Sequence, residues 1–247
     1  MSTDALPAGV PEIGHEHPDV TGGWLRPAVF GSIDGLVSNV ALIAGVAGGV
    51  RGVGGAGESH AVLLAGVAGL VGGAFSMATG EYISVASQSE AAEREIDKER
   101  HEILRNPAGE TAELAQMYVE KGLEPDLAAE VARQIHADVD NAVSVHAREE
   151  LGVDPTDLPS PRLAAVSSFL SFAVGALVPL LPYLFGAGSV LLAVGLAMLA
   201  LFCCGAVVSR FTVRPWWYGG LRQVVAGAGS AAVTYAIGLL VGGVVTG

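Results

Sequence analysis

Apolar residues run almost without interruption through five stretches of the chain, near residues 27–50, 60–87, 163–184, 188–209 and 223–245. Each stretch has the roughly 20 mainly apolar residues that a helix needs to cross about 30 Å of hydrocarbon. The pattern predicts an all-α membrane protein with five transmembrane helices. Residues 1–23 have neither an apolar core nor a basic start, which predicts a disordered polar tail and not a cleaved signal.

A polar segment separates the second apolar stretch from the third. Residues 89–161 contain 18 Asp and Glu but only 7 Lys and Arg, so they carry almost all of the whole-chain charge of −12. The chain is 51% hydrophobic and 15% charged, which is typical of polytopic membrane proteins and excludes an ordinary soluble domain. We therefore divide it into a tail (1–23), two spans (24–88), an acidic helical insert (89–161) and three further spans (162–247).

Basic residues near the ends of the spans indicate the orientation, because Lys and Arg are retained on the cytoplasmic side. Only Arg51 lies on the face opposite to the insert. We expect the N-terminus and the insert to be cytoplasmic and the C-terminus to lie outside. The basic residues on the insert's face are Arg26, Arg94, Lys98, Arg100, Arg105, Arg162, Arg210, Arg214 and Arg222.

Two carboxylates lie inside the first two spans, where ionisable residues are costly and usually functional. Asp34 and Glu81 are each about seven residues from the cytoplasmic end of their helix, hence about 10 Å deep at 1.5 Å per residue. Met77 lies one turn from Glu81 on the same face. Oxygen and thioether ligands together suit a divalent transition metal. The alternative is that Asp34 caps its helix and Glu81 extends to the interface.

Helix breakers divide the insert into three predicted helices. The second span has no breaker until Asn106 and Pro107, so its helix is expected to continue beyond the membrane. Pro107 favours the first turn of a second helix, which Gly122 ends. Pro125 opens a third helix that we expect to run to about Leu151.

Carboxylates on these helices recur at one-turn spacing, which places them on common faces. Like charges held together repel unless a cation neutralises them, so we predict that metal binding orders the insert. The alternative is solvated surface charge paired with Lys98, Arg94 and Arg100. The candidate ligands are Glu95, Glu99, Glu102, Glu110, Glu113, His146 and Glu150.

Small residues recur four apart within the spans, as at Gly31 and Gly35 and at Gly69 and Gly73. Such spacing lets helix backbones approach closely in lipid. It favours a helical bundle or a homodimer.

Four motifs in order resemble the vacuolar iron transporter family, and the resemblance covers residues 26–247. They are DGLV at 34–37, AGVAG at 44–48, SMATGEYISV at 76–85 and VPLLPY at 178–183. The resemblance implies a five-span homodimer that exchanges cytosolic ferrous iron, often also manganese, for protons. Members with an insert carry a cytoplasmic helical metal-binding domain between spans two and three.

The resemblance also implies roles for individual residues. The family's liganding glutamates fall on Glu99, Glu102, Glu110 and Glu113, with a further carboxylate at Glu150. Plant members have a methionine pair where this chain has His146 and Ala147. Pro27 and Gly69 stand where plant members have additional membrane carboxylates, and we hypothesise that Glu81 takes over part of their role.

Several functions remain open from the sequence. The leading one is export of Fe²⁺ from the cytoplasm, with Mn²⁺, Co²⁺ and Zn²⁺ as further substrates, across what the Ala and Gly content suggests is a bacterial plasma membrane. No glycine-rich loop followed by lysine indicates ATP use, so a proton gradient is the expected energy source. We expect no prosthetic group, no enzymatic activity and no nucleic-acid partner. The alternatives are a membrane-anchored metal sensor and a ferroxidase, although a ferroxidase needs repeated Glu-x-x-His motifs.

Overall fold

A computed structural model describes residues 23–51, 55–211 and 213–245, and its regular structure is entirely helical. The predicted tail therefore lies almost wholly outside the described residues. Short 3₁₀ turns follow α6 at Val178–Leu180 and α8 at Ser209–Phe211. The helices are α1 Leu25–Gly49, α2 Gly55–Arg105, α3 Pro107–Glu120, α4 Pro125–Ile135, α5 Val139–Glu150, α6 Pro161–Leu177, α7 Leu181–Leu184, α8 Val190–Val208 and α9 Trp216–Val245.

Five helical segments of the described chain are long and apolar enough to cross a membrane, which confirms the five predicted spans. The last of them begins at Trp216, seven residues before the predicted start. The third is a composite of α6, a 3₁₀ turn and α7. The five segments are Leu25–Gly49, Gly57–Arg105, Pro161–Leu184, Val190–Val208 and Trp216–Val244.

Helix α1 is the centre of the membrane part, since α2, α6, α8 and α9 all contact it. Its buried side chains include Leu36, Val40 and Ile43. Ile43 packs in one cluster with Val62 of α2 and Leu180 of the 3₁₀ turn. Burial of these side chains fixes α1 against its neighbours.

Glycines allow the closest of these approaches. A methyl group at Gly35 would collide with the carbonyl oxygen of Phe172 on α6, and one at Gly175 would collide with that of Ser32 on α1. Further along α1, a methyl group at Gly238 of α9 would meet the carbonyl oxygen of Gly45. The small-residue spacing thus serves helix packing within one chain.

Helix α2 is far longer than a membrane span requires. Its 51 residues give a length of about 75 Å, more than twice the hydrocarbon thickness. The apolar part ends near residue 87, and residues 88–105 carry charged side chains outside the membrane-spanning segment. The rod therefore reaches from the membrane into the insert.

Helices α3, α4 and α5 form a small bundle with the distal part of α2. Ile103 of α2 is buried with Ala142 and Val143 of α5. Arg100 of α2 pairs with Asp140 of α5 at 2.7 Å. These contacts hold α5 against α2.

The breakers at 106–107 and 122–125 act as predicted. Asn106 caps α3 by accepting a hydrogen bond from the Gly109 N–H, and Pro107 occupies the first turn. Gly122 has a φ of +100°, a left-handed conformation that favours glycine. Pro125 then opens α4.

The prediction of one helix from Pro125 to residue 151 is wrong. The chain breaks after Ile135, and Asp138 caps a separate helix by accepting a hydrogen bond from the Asn141 N–H. An aspartate whose side chain bonds to the backbone in this way favours a helix start over a helix interior. The break lets α4 pack mainly against α3 and α5 against α2.

The close approach at Gly35 predicts a stability difference between two glycine substitutions. Gly35→Ala should destabilise the protein by about 1–3 kcal/mol, because the added methyl forces α1 away from α6. Gly195→Ala on α8 is the control, since its methyl meets no atom within 4 Å. Thermal unfolding in detergent should show a clear loss for the first variant only, and equal midpoints would contradict this packing.

Candidate metal centre and membrane cavity

Three helices of the bundle each contribute one side chain to a compact cluster of ligand atoms. Glu99 of α2, Glu110 of α3 and His146 of α5 have ligand atoms within 4.8 Å of one another. Carboxylate oxygens and imidazole nitrogens bind divalent metals at about 2.0–2.2 Å, so ligand atoms at this spacing can share one ion. Because the three residues come from three helices, the fold of the bundle positions the cluster.

The imidazole of His146 is completely buried at the centre of the cluster. Its Nδ1 lies 2.6 Å from Oε1 of Glu150 and 3.0 Å from Oε1 of Glu99. The contact with Glu150 is a hydrogen bond, whereas the Glu99 oxygen is not aligned for one. In the neutral tautomer that donates from Nδ1 to an ionised Glu150, Nε2 would keep its lone pair.

Two buried atoms of the cluster have no hydrogen-bond partner among the described residues. They are Nε2 of His146 and Oε1 of Glu99. Leaving a buried polar atom unpaired costs roughly 1–3 kcal/mol, so such atoms need an explanation. A metal ion can accept a lone pair from an imidazole nitrogen and from a carboxylate oxygen.

The cluster holds more acidic side chains than cationic ones, and this affects the pKa values of its glutamates. Burial, and then the negative charge of Glu150, raise the pKa of Glu99 to about 7, against the opposing effect of His146. Burial and the charge of Glu113 likewise raise the pKa of Glu110. A bound divalent cation would reverse these effects, because opposite charge favours the ionised form.

The other predicted ligands lie around the cluster. Glu102 and Glu113 are exposed, and their charges act on Glu99 and Glu110 respectively. Glu150 is hydrogen-bonded to His146, with its side chain 26% exposed. Glu95 lies outside the cluster, exposed and 3.8 Å from Lys98.

Sequence analysis missed His136, at the end of α4. Its ring stands edge to face with that of His146, with ring centroids 5.1 Å apart. Nε2 of His136 is buried without a hydrogen-bond partner, and burial lowers its pKa. No helical spacing joins positions 136 and 146, because the chain breaks between them, so no sequence signal pointed to the pair.

A cavity of about 420 Å³ lies in the membrane part, between α1, α2 and α6. Asp34 of α1 and Met77 of α2 both line it, together with Asn39 and Phe172. The predicted neighbourhood of Asp34 and Met77 therefore exists. Glu81 is half-buried one turn beyond Met77, and it is not among the residues that line the cavity.

The arrangement can be compared with known proteins. The model of the VIT family matches residues 25–239. The chain belongs to the VIT family.

Relatives within this family cover most of the chain. A vacuolar iron transporter of Acanthamoeba castellanii is 37% identical over 92% of this chain and 83% of its own length. Vacuolar iron transporter 1 of Oryza sativa subsp. japonica is 31% identical, over 90% of this chain and 88% of its own. Vacuolar iron transporter homolog 3 of Arabidopsis thaliana is 32% identical, over 89% and 84%.

These comparisons confirm the resemblance drawn from the four motifs, and they support metal transport across a membrane as the activity of this VIT family chain. Two departures noted in the sequence have defined places in the structure. His146 and Ala147 are both fully buried in α5, and Gly69 lines the membrane cavity. One departure from the plant pattern therefore lies in the bundle beside the ligand cluster, and the other lies at the membrane cavity.

The raised pKa of Glu99 predicts how pH acts on the metal-free bundle. The folded protein holds this proton more tightly than the unfolded chain, whose glutamate has a pKa near 4.5. The contribution of Glu99 to stability is thus lost as pH rises through about 7. Glu99→Gln should remove this loss of stability. Amide hydrogen exchange in α3 and α5 at pH 8 should therefore be slower in the variant than in the wild type.

The same variant should weaken the protection that Mn²⁺ gives, because it removes a carboxylate ligand. The exposed Glu93 of the same helix provides the control Glu93→Gln, which should exchange as the wild type does. If Glu99→Gln shows wild-type exchange with and without Mn²⁺, the buried carboxylate is not part of a metal centre.

Proposed function

We propose that this chain exports divalent metal from the cytosol in exchange for protons, with Fe²⁺ as the principal substrate. The bundle captures the ion, and the cavity beside Asp34 passes it through the membrane. The names of the relatives support iron as the substrate. Carboxylate, imidazole and thioether ligands also accept Mn²⁺, Co²⁺ and Zn²⁺, and ligand type alone does not choose among them.

The observation that carries the proposal is that one helix bears both candidate sites. Met77 and Glu99 belong to α2 and are 22 residues apart, or about 33 Å along the helix axis. Met77 lines the membrane cavity, and Glu99 lies in the buried ligand cluster. One helix thus joins the candidate metal cluster to the cavity in the membrane part.

Acids along this route supply a means of coupling to protons. A carboxylate that releases a metal ion can take up a proton in its place, and Glu99 has a pKa near 7 that allows this at cellular pH. Asp34 is the membrane carboxylate that lines the cavity. We propose that Glu81, one turn from Met77, takes over part of the proton-carrying role of the membrane carboxylates that are missing at Pro27 and Gly69.

The direction of transport follows from the orientation of the chain. All basic residues near span ends except Arg51 lie on the side of the insert, which favours a cytosolic bundle. A capture site in the cytosol favours export from that side. The alanine-rich and glycine-rich composition is our ground for proposing a bacterial plasma membrane.

A homodimer would explain the exposure of Asp34. In a single chain this side chain is exposed, and so is Phe30 at 68% beside it. A carboxylate facing lipid is costly, so it is expected to face water or another protein chain. A second copy packed against this side of α1 and α2 would close the cavity from lipid.

Flux through sealed vesicles tests the proposal. Purified protein should carry Mn²⁺ or Fe²⁺ across the membrane. The flux should be faster when a pH gradient drives protons in the direction opposite to the metal. Asp34→Asn should lower the flux at least about tenfold, since removal of groups around a metal typically costs 10–100-fold. The exposed Asp126 of α4 gives the control Asp126→Asn, which should transport normally.

Two other outcomes would contradict the proposal in different ways. Metal binding without flux in the wild type would favour a metal sensor. Flux that is unchanged in Asp34→Asn would show that the ion does not pass the cavity.

A further inference from the structure

A second cavity, of about 430 Å³, lies at the junction of α8 and α9 and is separate from the cavity beside Asp34. It is lined by Ala206, Val207, Arg210 and Trp216. The first two belong to α8, Arg210 belongs to the 3₁₀ turn that follows, and Trp216 is the first residue of α9. The cavity is therefore apolar along α8 and ends in a guanidinium group. We call it the α8–α9 cavity.

Close packing of the two helices fixes one wall of the α8–α9 cavity. A methyl group at Gly205 of α8 would collide with the carbonyl oxygen of Gly219 on α9, and one at Gly220 would collide with the ring of Phe202. The ring of Phe202 also stands edge to face with that of Trp216, with ring centroids 5.9 Å apart. Trp216 is thus positioned by this packing, although 61% of its surface is exposed.

The arginine of the α8–α9 cavity lacks a counter-charge. Arg210 is exposed and forms no ion pair with any residue that the structure describes. The sequence offers none nearby, because residues 158–247 contain no Asp or Glu. Arg214, four residues further on, lies over the ring of Tyr218, 5.7 Å from its centroid. An unpaired guanidinium group suits a phosphate, whose oxygen atoms match the fork of its N–H donors.

Aromatic side chains at the start of α9 indicate the depth of the cavity in the bilayer. Trp216, Trp217 and Tyr218 are all exposed, and such residues are enriched at the level of the lipid headgroups. The N-terminal end of α9, where the helix dipole is positive, lies at the same level. Val207 is 58% exposed on the side of the membrane-spanning segment. A ligand of this cavity must therefore be anionic at the headgroup level and apolar below it.

We propose that the α8–α9 cavity binds one anionic phospholipid. Its phosphate lies on Arg210, its headgroup lies against Trp216, and one acyl chain runs along Ala206 and Val207. A lipid with net negative charge is favoured over phosphatidylcholine, because the cationic choline offsets the attraction of its phosphate to Arg210. The inference goes beyond metal transport and does not depend on it.

Native mass spectrometry of the purified full-length protein tests the proposal. The protein is titrated with phosphatidylglycerol and with phosphatidylcholine of the same acyl chains, and the ratio of the two affinities is measured for the first bound lipid. The wild type should prefer phosphatidylglycerol. Arg210→Gln should lower this preference about fivefold, as expected for loss of one arginine beside an anionic headgroup. The control is Arg222→Gln, an exposed arginine of α9 that does not line the cavity, which should keep the wild-type ratio.

A second variant separates the cavity from its charge. Val207→Phe fills the apolar part of the cavity but leaves Arg210 in place, and the exposed position has room for the larger side chain. It should weaken binding of phosphatidylglycerol, because the acyl chain loses its place along α8. Glycerophosphate, which has the phosphate but no acyl chains, should not displace the lipid at equal concentration.

Four results would overturn the proposal. They are equal affinity of the wild type for the two lipids, an unchanged ratio in Arg210→Gln, an equal loss of preference in Arg222→Gln, and displacement of the lipid by glycerophosphate. If Arg210→Gln changes the oligomeric mass and leaves the lipid ratio unchanged, the arginine contacts the acidic insert of a second copy instead. None of these results bears on metal flux, so the proposed function is tested separately.

Discussion

Repulsion among carboxylates that the fold holds together is the constraint on which the rest of this protein depends. Glu99 is buried beside Glu110 and Glu150, with one imidazole among them. Burial first, and then the charge of Glu150, raise the pKa of Glu99 to about 7, so the ionised cluster is unfavourable without a cation. A divalent ion among these side chains would neutralise their charge. We therefore propose that the bundle is more stable with metal than without it.

The membrane part differs from the bundle in how its helices pack and in how few polar atoms it holds. There the polar atoms are few, and close helix packing at glycines such as Gly35 leaves one cavity beside Asp34. Met77 and Asn39 border the same space. Helix α2 connects this cavity with the bundle, since Met77 and Glu99 both belong to it. In the function that we propose, the two sites are successive parts of one route.

Much of this organisation could be predicted from the chain alone. The five spans follow from runs of apolar residues, and the ends of α2 and α3 follow from Asn106, Pro107 and Gly122, because these residues act through local backbone chemistry. The family resemblance pointed to Glu99 and Glu110, and helical spacing pointed to His146; the fold brings the three together.

Other features depend on contacts between distant residues, which spacing does not encode. The break between α4 and α5 places His136 against His146, and the periodic pattern gave no reason to expect it. Asp34 and Glu81 were predicted to share a depth, but depth does not determine which side chains line a cavity. Asn39 escaped notice because its bond to Ala176 joins two helices that are distant in the sequence.

The most direct test of the account is X-ray absorption of the full-length protein loaded with one equivalent of Co²⁺ or Fe²⁺. We predict a first shell of oxygen and nitrogen atoms at about 2.0–2.2 Å, with the outer-shell scattering of an imidazole that disappears in His146→Ala. A hydrated ion with no imidazole scattering, identical in the wild type and in His146→Ala, would contradict the claim that the bundle is a metal centre.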